Sequence, residues 1–102
     1  MRYLFLLNPT AGKRDCTAEL APAIQAAAQR AGIPPEKRKV VVTQYAGHAR
    51  ELAAEAAHTA QADGEPVRIW TAGGDGTFNE ALTGAQGCSL AAVGVSALWQ
   101  RQ

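Results

Sequence analysis

The sequence predicts an α/β fold, an open parallel sheet in which strands and helices alternate along the chain. Two observations carry this expectation. Short apolar or β-branched runs alternate with stretches of helical periodicity, giving four strands and three helices in 102 residues. Glycine or proline punctuates almost every junction. Strands separated by helices call for parallel pairing, with right-handed crossovers placing helices on the faces of the sheet.

Tyr3-Leu4-Phe5-Leu6-Leu7 is a continuous apolar run closed by Asn8-Pro9. A strand covered on both faces reads this way. Over 17–31, Leu20 and Ile24 lie four apart, Ala27, Ala28 and Ala31 continue their face, and Glu19, Gln25, Gln29 and Arg30 point elsewhere. That is an amphipathic helix, stopped by Gly32 and Pro34-Pro35. Lys39-Val40-Val41-Val42-Thr43 forms the second strand. The alanine-rich second helix spans 47–62, with Ala49, Leu52, Ala53, Ala56 and Ala60 on one face, and Asp63-Gly64 ends it. Val67-Arg68-Ile69-Trp70-Thr71 is the third strand. A glycine-rich turn then leads into a short helix with Phe78, Ala81, Leu82 and Ala85 inward, and Ala91-Ala92-Val93-Gly94-Val95 is a weaker fourth strand.

Composition narrows the function. Ten Lys+Arg against nine Asp+Glu leave a formal charge of +1, which excludes binding to nucleic acid or anionic membranes driven by gross charge. Hydrophobic residues at 47% and charged residues at 19% describe an ordinary globular domain. The two cysteines, Cys16 and Cys88, have neither C-x-x-C spacing nor a histidine pair, so neither zinc nor a disulfide framework is expected. The first apolar run is too short for a signal-peptide core, so a cytoplasmic location is expected.

In such a sheet the ligand crevice lies beyond the carboxyl ends of the strands. The turn after the third strand is Ala72-Gly73-Gly74-Asp75-Gly76-Thr77, followed by Phe78-Asn79-Glu80. Glycines permit positive φ and let phosphate approach the backbone, and the N–H groups opening the next helix favour an anion. This is the chemistry of a phosphate cradle. Thr77 with Glu80 three residues on also matches a capping box, so pure architecture is the other reading. In the turn after the first strand, Gly12-Lys13 fails as a Walker loop, because Leu7 stands where a glycine is needed and Arg14 replaces Ser/Thr. The dinucleotide fingerprint fails too, with Asn79 at its third small position and the motif after the wrong strand.

Asn8-Pro9-x-x-Gly12 after the first strand, Thr43 ending the second, and Gly73-Gly74-Asp75-Gly76-Thr77-x-Asn79-Glu80 after the third, in that order, resemble the diacylglycerol kinase catalytic domain. More specifically, residues 3–95 resemble the nucleotide-binding half of bacterial lipid kinases, relatives of sphingosine kinases and more distantly of NAD kinases. The resemblance implies a Rossmann-like sheet of the NAD kinase and diacylglycerol kinase type, with ATP and Mg2+ as cofactors. It implies that Asn8, Pro9, Thr10, Ala11, Gly12 and Thr43 line the ATP site. Gly73, Gly74, Asp75, Gly76, Thr77, Asn79 and Glu80 would hold the triphosphate, with Asp75 near the phosphates or their magnesium. Lys13 and Arg14 would add positive charge or simply be solvated.

After the fourth strand the family continues with Pro-x-Gly-Ser/Thr-Gly-Asn-Asp, whereas this chain reads Ser96-Ala97-Leu98-Trp99-Gln100-Arg101-Gln102. The expectation is therefore an incomplete N-terminal ATP-binding domain over 1–102, truncated after the fourth strand. The catalytic base and the lipid-facing surface would belong to a β-rich second domain, through which the full enzyme would meet its lipid and touch the membrane. The chain alone is expected to bind ATP without turnover. An unpaired fourth-strand edge predicts self-association. Two alternatives stay open: an NAD kinase-like fragment, although that family's Asn-Asn-Asp-Asn stretch is absent, and a non-catalytic nucleotide-binding module. The other polar or bulky residues have plainer expectations: His48 and His58 solvated on different helical faces, Cys16 and Cys88 packed as small side chains, and Trp70 in the core.

Overall fold

The computed structural model describes residues 1–8, 17–72 and 75–95, with the side chains of 17–21, 75 and 95 excepted. Along the chain run β1 (Arg2–Leu7), α1 (Thr17–Arg30), β2 (Arg38–Val42), α2 (His48–Asp63), β3 (Val67–Ala72), α3 (Asp75–Ala85) and β4 (Ala91–Val95). The four strands form one all-parallel sheet in the order β2-β1-β3-β4. The expected α/β class and all seven elements are present. One element was not foreseen, a single 3₁₀ turn at Pro35–Lys37, where the proline pair pre-sets the backbone for a turn.

Strand alternation divides the side chains between two cores. Leu4, Leu6, Val67 and Ile69 face α2 and α3, whereas Leu7 and Ala72 face Ile24 of α1, with Phe5, Val40 and Val42 packed beside them. This explains why the first strand is an unbroken apolar run from Tyr3 to Leu7: helices on opposite faces leave it no solvent side. Leu6 and Ile69 are wholly buried. Removing each from water stabilises the fold by roughly 1.5 to 3 kcal/mol.

The helix faces follow the sequence pattern with local differences. Ile24 and Ala28 of α1 are buried, whereas Ala31 is exposed because the helix has ended at Arg30. In α2 the buried set is Ala49, Ala53, Ala57 and Ala60, adding Ala57, while Leu52 and Ala56 are half-buried. Gly64 closes α2 in the left-handed region, at φ 72, its N–H donating to the Ala60 carbonyl at 2.8 Å. In α3, Ala81 and Ala85 are buried, but Leu82 is 43% exposed, contrary to the expected inward face. The reason is packing direction, since α3 turns its small residues towards α2. A Cβ on Gly84 would collide with the Arg50 carbonyl and crowd the Ala53 Cβ.

Trp70, expected in the core, is half-buried. It alternates onto the α1 side of the sheet, and α1 packs mainly over β2. Its ring lies instead across β4, where a Cβ on Gly94 would come within 2.9 Å of it, and the Arg68 guanidinium stands 5.9 Å from the ring centroid. Cys88 packs against the larger core as expected of a small side chain. Among the described residues no helix is long and apolar enough to cross a membrane.

Candidate functional site

The strand order fixes where a site can form. From β1 the chain leaves through α1 on one face, and from β3 it leaves through α3 on the other, although β1 and β3 are neighbours. Chain segments that part in this way leave a crevice beyond the carboxyl ends of the two strands. The backbone there is anchored by continuing the sheet ladder. The N–H of Asn8 donates to the Ala72 carbonyl at 2.9 Å, and that of Thr43 to the Leu7 carbonyl at 2.8 Å.

A cleft of about 480 Å³ occupies this position, with Asn8, Thr43, Thr77 and Glu80 among its lining residues. Four residues singled out in the sequence, from three different segments of the chain, thus meet at one site. The Asn8 side-chain amide donates to Thr77 Oγ1 at 3.0 Å, joining the exit of β1 to the first turn of α3. Thr77 is 4% exposed, and among the described residues its own hydroxyl proton has no acceptor. Thr43 is arranged the other way. Its hydroxyl donates to the Leu7 carbonyl at 3.2 Å, so the side of the oxygen left to the cleft is its accepting side.

The glycine-rich turn differs from its sequence reading. The third helix begins at Asp75, so Asp75, Gly76 and Thr77 form its first turn instead of a preceding loop. The capping-box reading of Thr77 and Glu80 is displaced with it. Thr77 already lies inside the helix, and Glu80 reaches a different segment, accepting from the Gly47 N–H at 3.3 Å. Gly76 does not adopt positive φ, and a Cβ there would meet nothing within 4 Å. Neither backbone geometry nor packing requires glycine at that position. Asn79 is exposed and is not part of the cleft lining. The expectations for Pro9, Thr10, Ala11, Gly12, Gly73 and Gly74 lie outside the described residues, as does the Asp75 carboxylate.

The turn after β2 supplies what the sequence reading did not single out. Gln44, Tyr45 and Ala46 line the cleft beside Thr43. Gly47 ends this turn at φ 89, a left-handed angle that favours glycine. His48, expected to be solvated, is half-buried: its Nδ1 accepts from the Gln44 N–H at 2.9 Å and its ring stacks on Tyr45 at 4.5 Å. The Tyr45 hydroxyl donates to Glu51, and this hydrogen bond to a carboxylate raises the tyrosine pKa above its ordinary value. His58 is exposed, as expected.

The site is rich in neutral hydrogen-bonding groups. Among the described residues, no group of three His, Cys, Asp or Glu side chains could hold a metal ion. The first-turn N–H groups of α3 have no partners within their own helix, and the positive end of the helix dipole lies there. Together with Thr77 they suit an anionic ligand that brings its own counter-ion. The family model described as the diacylglycerol kinase catalytic domain matches residues 2–97. No curated protein matches the chain.

Proposed function

The chain belongs to the diacylglycerol kinase catalytic domain family, and from that premise we propose that it binds ATP as the nucleotide-binding part of a lipid kinase. In this reading the γ-phosphate of ATP passes to a lipid hydroxyl such as that of diacylglycerol. The single observation that carries it is the buried Thr77 hydroxyl. It accepts from Asn8, keeps its own proton for an incoming oxygen, and sits in the first turn of a helix whose N–H groups favour phosphate.

Phosphoryl transfer depends mainly on positioning and charge neutralisation. Asn8 orients Thr77, and Thr77 with the α3 amides binds phosphate oxygens. Thr43 offers an acceptor, which suits a hydroxyl or amino group of the nucleoside better than it suits phosphate. Glu80 is held by the Gly47 N–H, which draws its carboxylate towards the β2 turn. Magnesium, when bound with the nucleotide, offsets the charge of the phosphates. The phosphates and water would provide most of its coordination, and Asp75 is the protein partner that the family resemblance implies for it. Gly76 fits the same reading, since an open position without a Cβ leaves room for a phosphate. The catalytic base and the lipid surface are assigned to a second, β-rich domain of the family.

Titration calorimetry with Mg-ATP tests this. Binding should be measurable at millimolar nucleotide or below, with a matching rise in melting temperature because only the folded chain binds. Thr77→Val should weaken ATP binding by about tenfold, in line with the loss of one hydrogen bond to a charged group. No phosphorylated lipid should form from this chain alone. Absence of any shift at millimolar Mg-ATP would overturn the nucleotide reading, and robust lipid phosphorylation would overturn the division of roles between domains.

A further inference from the structure

Tyr45 stands at the cleft on the turn after β2 and is 57% exposed, yet its ring is fixed from two directions. One face stacks on His48, with centroids 4.5 Å apart and planes 14° from parallel. The hydroxyl at the far end of the ring donates to Glu51. His48 is itself pinned, because its Nδ1 accepts the Gln44 N–H at 2.9 Å and it opens α2. Holding an exposed aromatic side chain in one orientation costs rotamer entropy that a solvent-facing residue would otherwise keep. The result is a flat ring, ordered before any ligand arrives, in a cleft that Thr43 and Thr77 also line.

We propose that Tyr45 is the stacking platform for the base of the bound nucleotide, a positioning residue of the site. This inference rests on the ATP-binding reading and extends it to a residue outside the phosphate-binding turn. The ring face turned away from His48 takes the base. Thr43, two residues before it, accepts from an amino or hydroxyl group of the nucleoside, while Thr77 and the α3 amides take the phosphates. Stacking is the larger contribution on the base side, because an aromatic face tolerates any planar base and needs no matched donor.

The test compares ATP with inorganic tripolyphosphate, both with magnesium, on the parent chain, Tyr45→Ala and Tyr45→Phe, by calorimetry. Tyr45→Ala should lose about tenfold in ATP affinity, as expected for one base–aromatic contact, and leave tripolyphosphate binding unchanged. Tyr45→Phe keeps the ring and should stay within about threefold of the parent, because it gives up only the bond to Glu51. An amide spectrum matching the parent checks that each variant is folded. Equal ATP affinity of Tyr45→Ala and the parent would overturn the inference while the nucleotide reading stands. Loss of both ligands in Tyr45→Ala would make Tyr45 structural and overturn it as well. A parent chain that binds neither ligand removes the nucleotide reading, and this inference with it.

Discussion

The two ends of the sheet are built from the same strands and use their polar residues in opposite ways. At the amino end the charges satisfy one another: Lys37 lies 2.8 Å from Glu65, the chain's N-terminal ammonium 3.1 Å, and Arg2 bridges Glu65 at 3.2 Å and Asp63 at 2.5 Å. At the carboxyl end no cation pairs with a carboxylate among the described residues, and the neutral bond from Asn8 to Thr77 leaves a buried hydroxyl proton without an acceptor among them. The glycines of α3 repeat the contrast. Gly84, near the end of the helix, is required by the backbone of α2, whereas Gly76, in its first turn, is required by nothing in the folded chain. Polar and small residues that the fold accounts for belong to stability. Those it leaves unaccounted for lie at the end of the molecule where we propose that the ligand binds.

The largest effect should come from the glycine pair. Gly84→Ala forces the helices apart and should cost roughly 1 to 3 kcal/mol in denaturant unfolding. Gly76→Ala should leave stability unchanged or raise it by at most about 1 kcal/mol, because alanine is the better helix former, while weakening nucleotide binding. Equal destabilisation by the two changes would break the comparison.

A smaller effect should follow from Asn8→Asp. The new carboxylate would take up the Thr77 proton and face the phosphates as a like charge, so ATP affinity should fall by about tenfold, near 1.4 kcal/mol. The melting temperature without nucleotide should change little. Unchanged affinity in calorimetry would mean that the link between the β1 and β3 exits serves the fold alone.

The smallest effect belongs to the amino end. Hydrogen bonding to Lys37, then to the N-terminal ammonium, lowers the Glu65 pKa from 4.5 to about 2. A carboxyl whose folded pKa lies below its unfolded one stabilises the fold above the unfolded value, and that contribution is lost as pH falls through the folded value. The parent should therefore lose melting temperature between about pH 4.5 and 2 more steeply than Glu65→Gln, and the loss should be modest because the pairs are solvent-screened. Superimposable melting curves for the two proteins over that range would remove Glu65 from the account.

Much of this architecture was legible in the residues, with limits that have physical causes. Apolar runs such as Tyr3-Leu4-Phe5-Leu6-Leu7 announce strands because a doubly covered strand has no polar face. The start of α3 was misplaced because Gly73-Gly74-Asp75-Gly76 has poor helix propensity, and local preference is a weak prior that tertiary context overrides. Leu82 was misassigned because helical periodicity gives a face without saying which neighbour that face must accommodate. The position of Tyr45 was missed although its partners, His48 and Glu51, lie only three and six residues on. The stacking depends on how the β2 turn enters α2.

The sequence by itself determined the alternation of strands and helices, the loops that gather at the carboxyl end, and the family, because these follow from local patterns and short motifs. Only the tertiary structure decided the strand order, the bond between Asn8 and Thr77 across 69 positions, and which buried hydroxyl proton is left without an acceptor among the described residues. Those are properties of groups brought together by packing, and no local pattern records which distant atom a donor will meet.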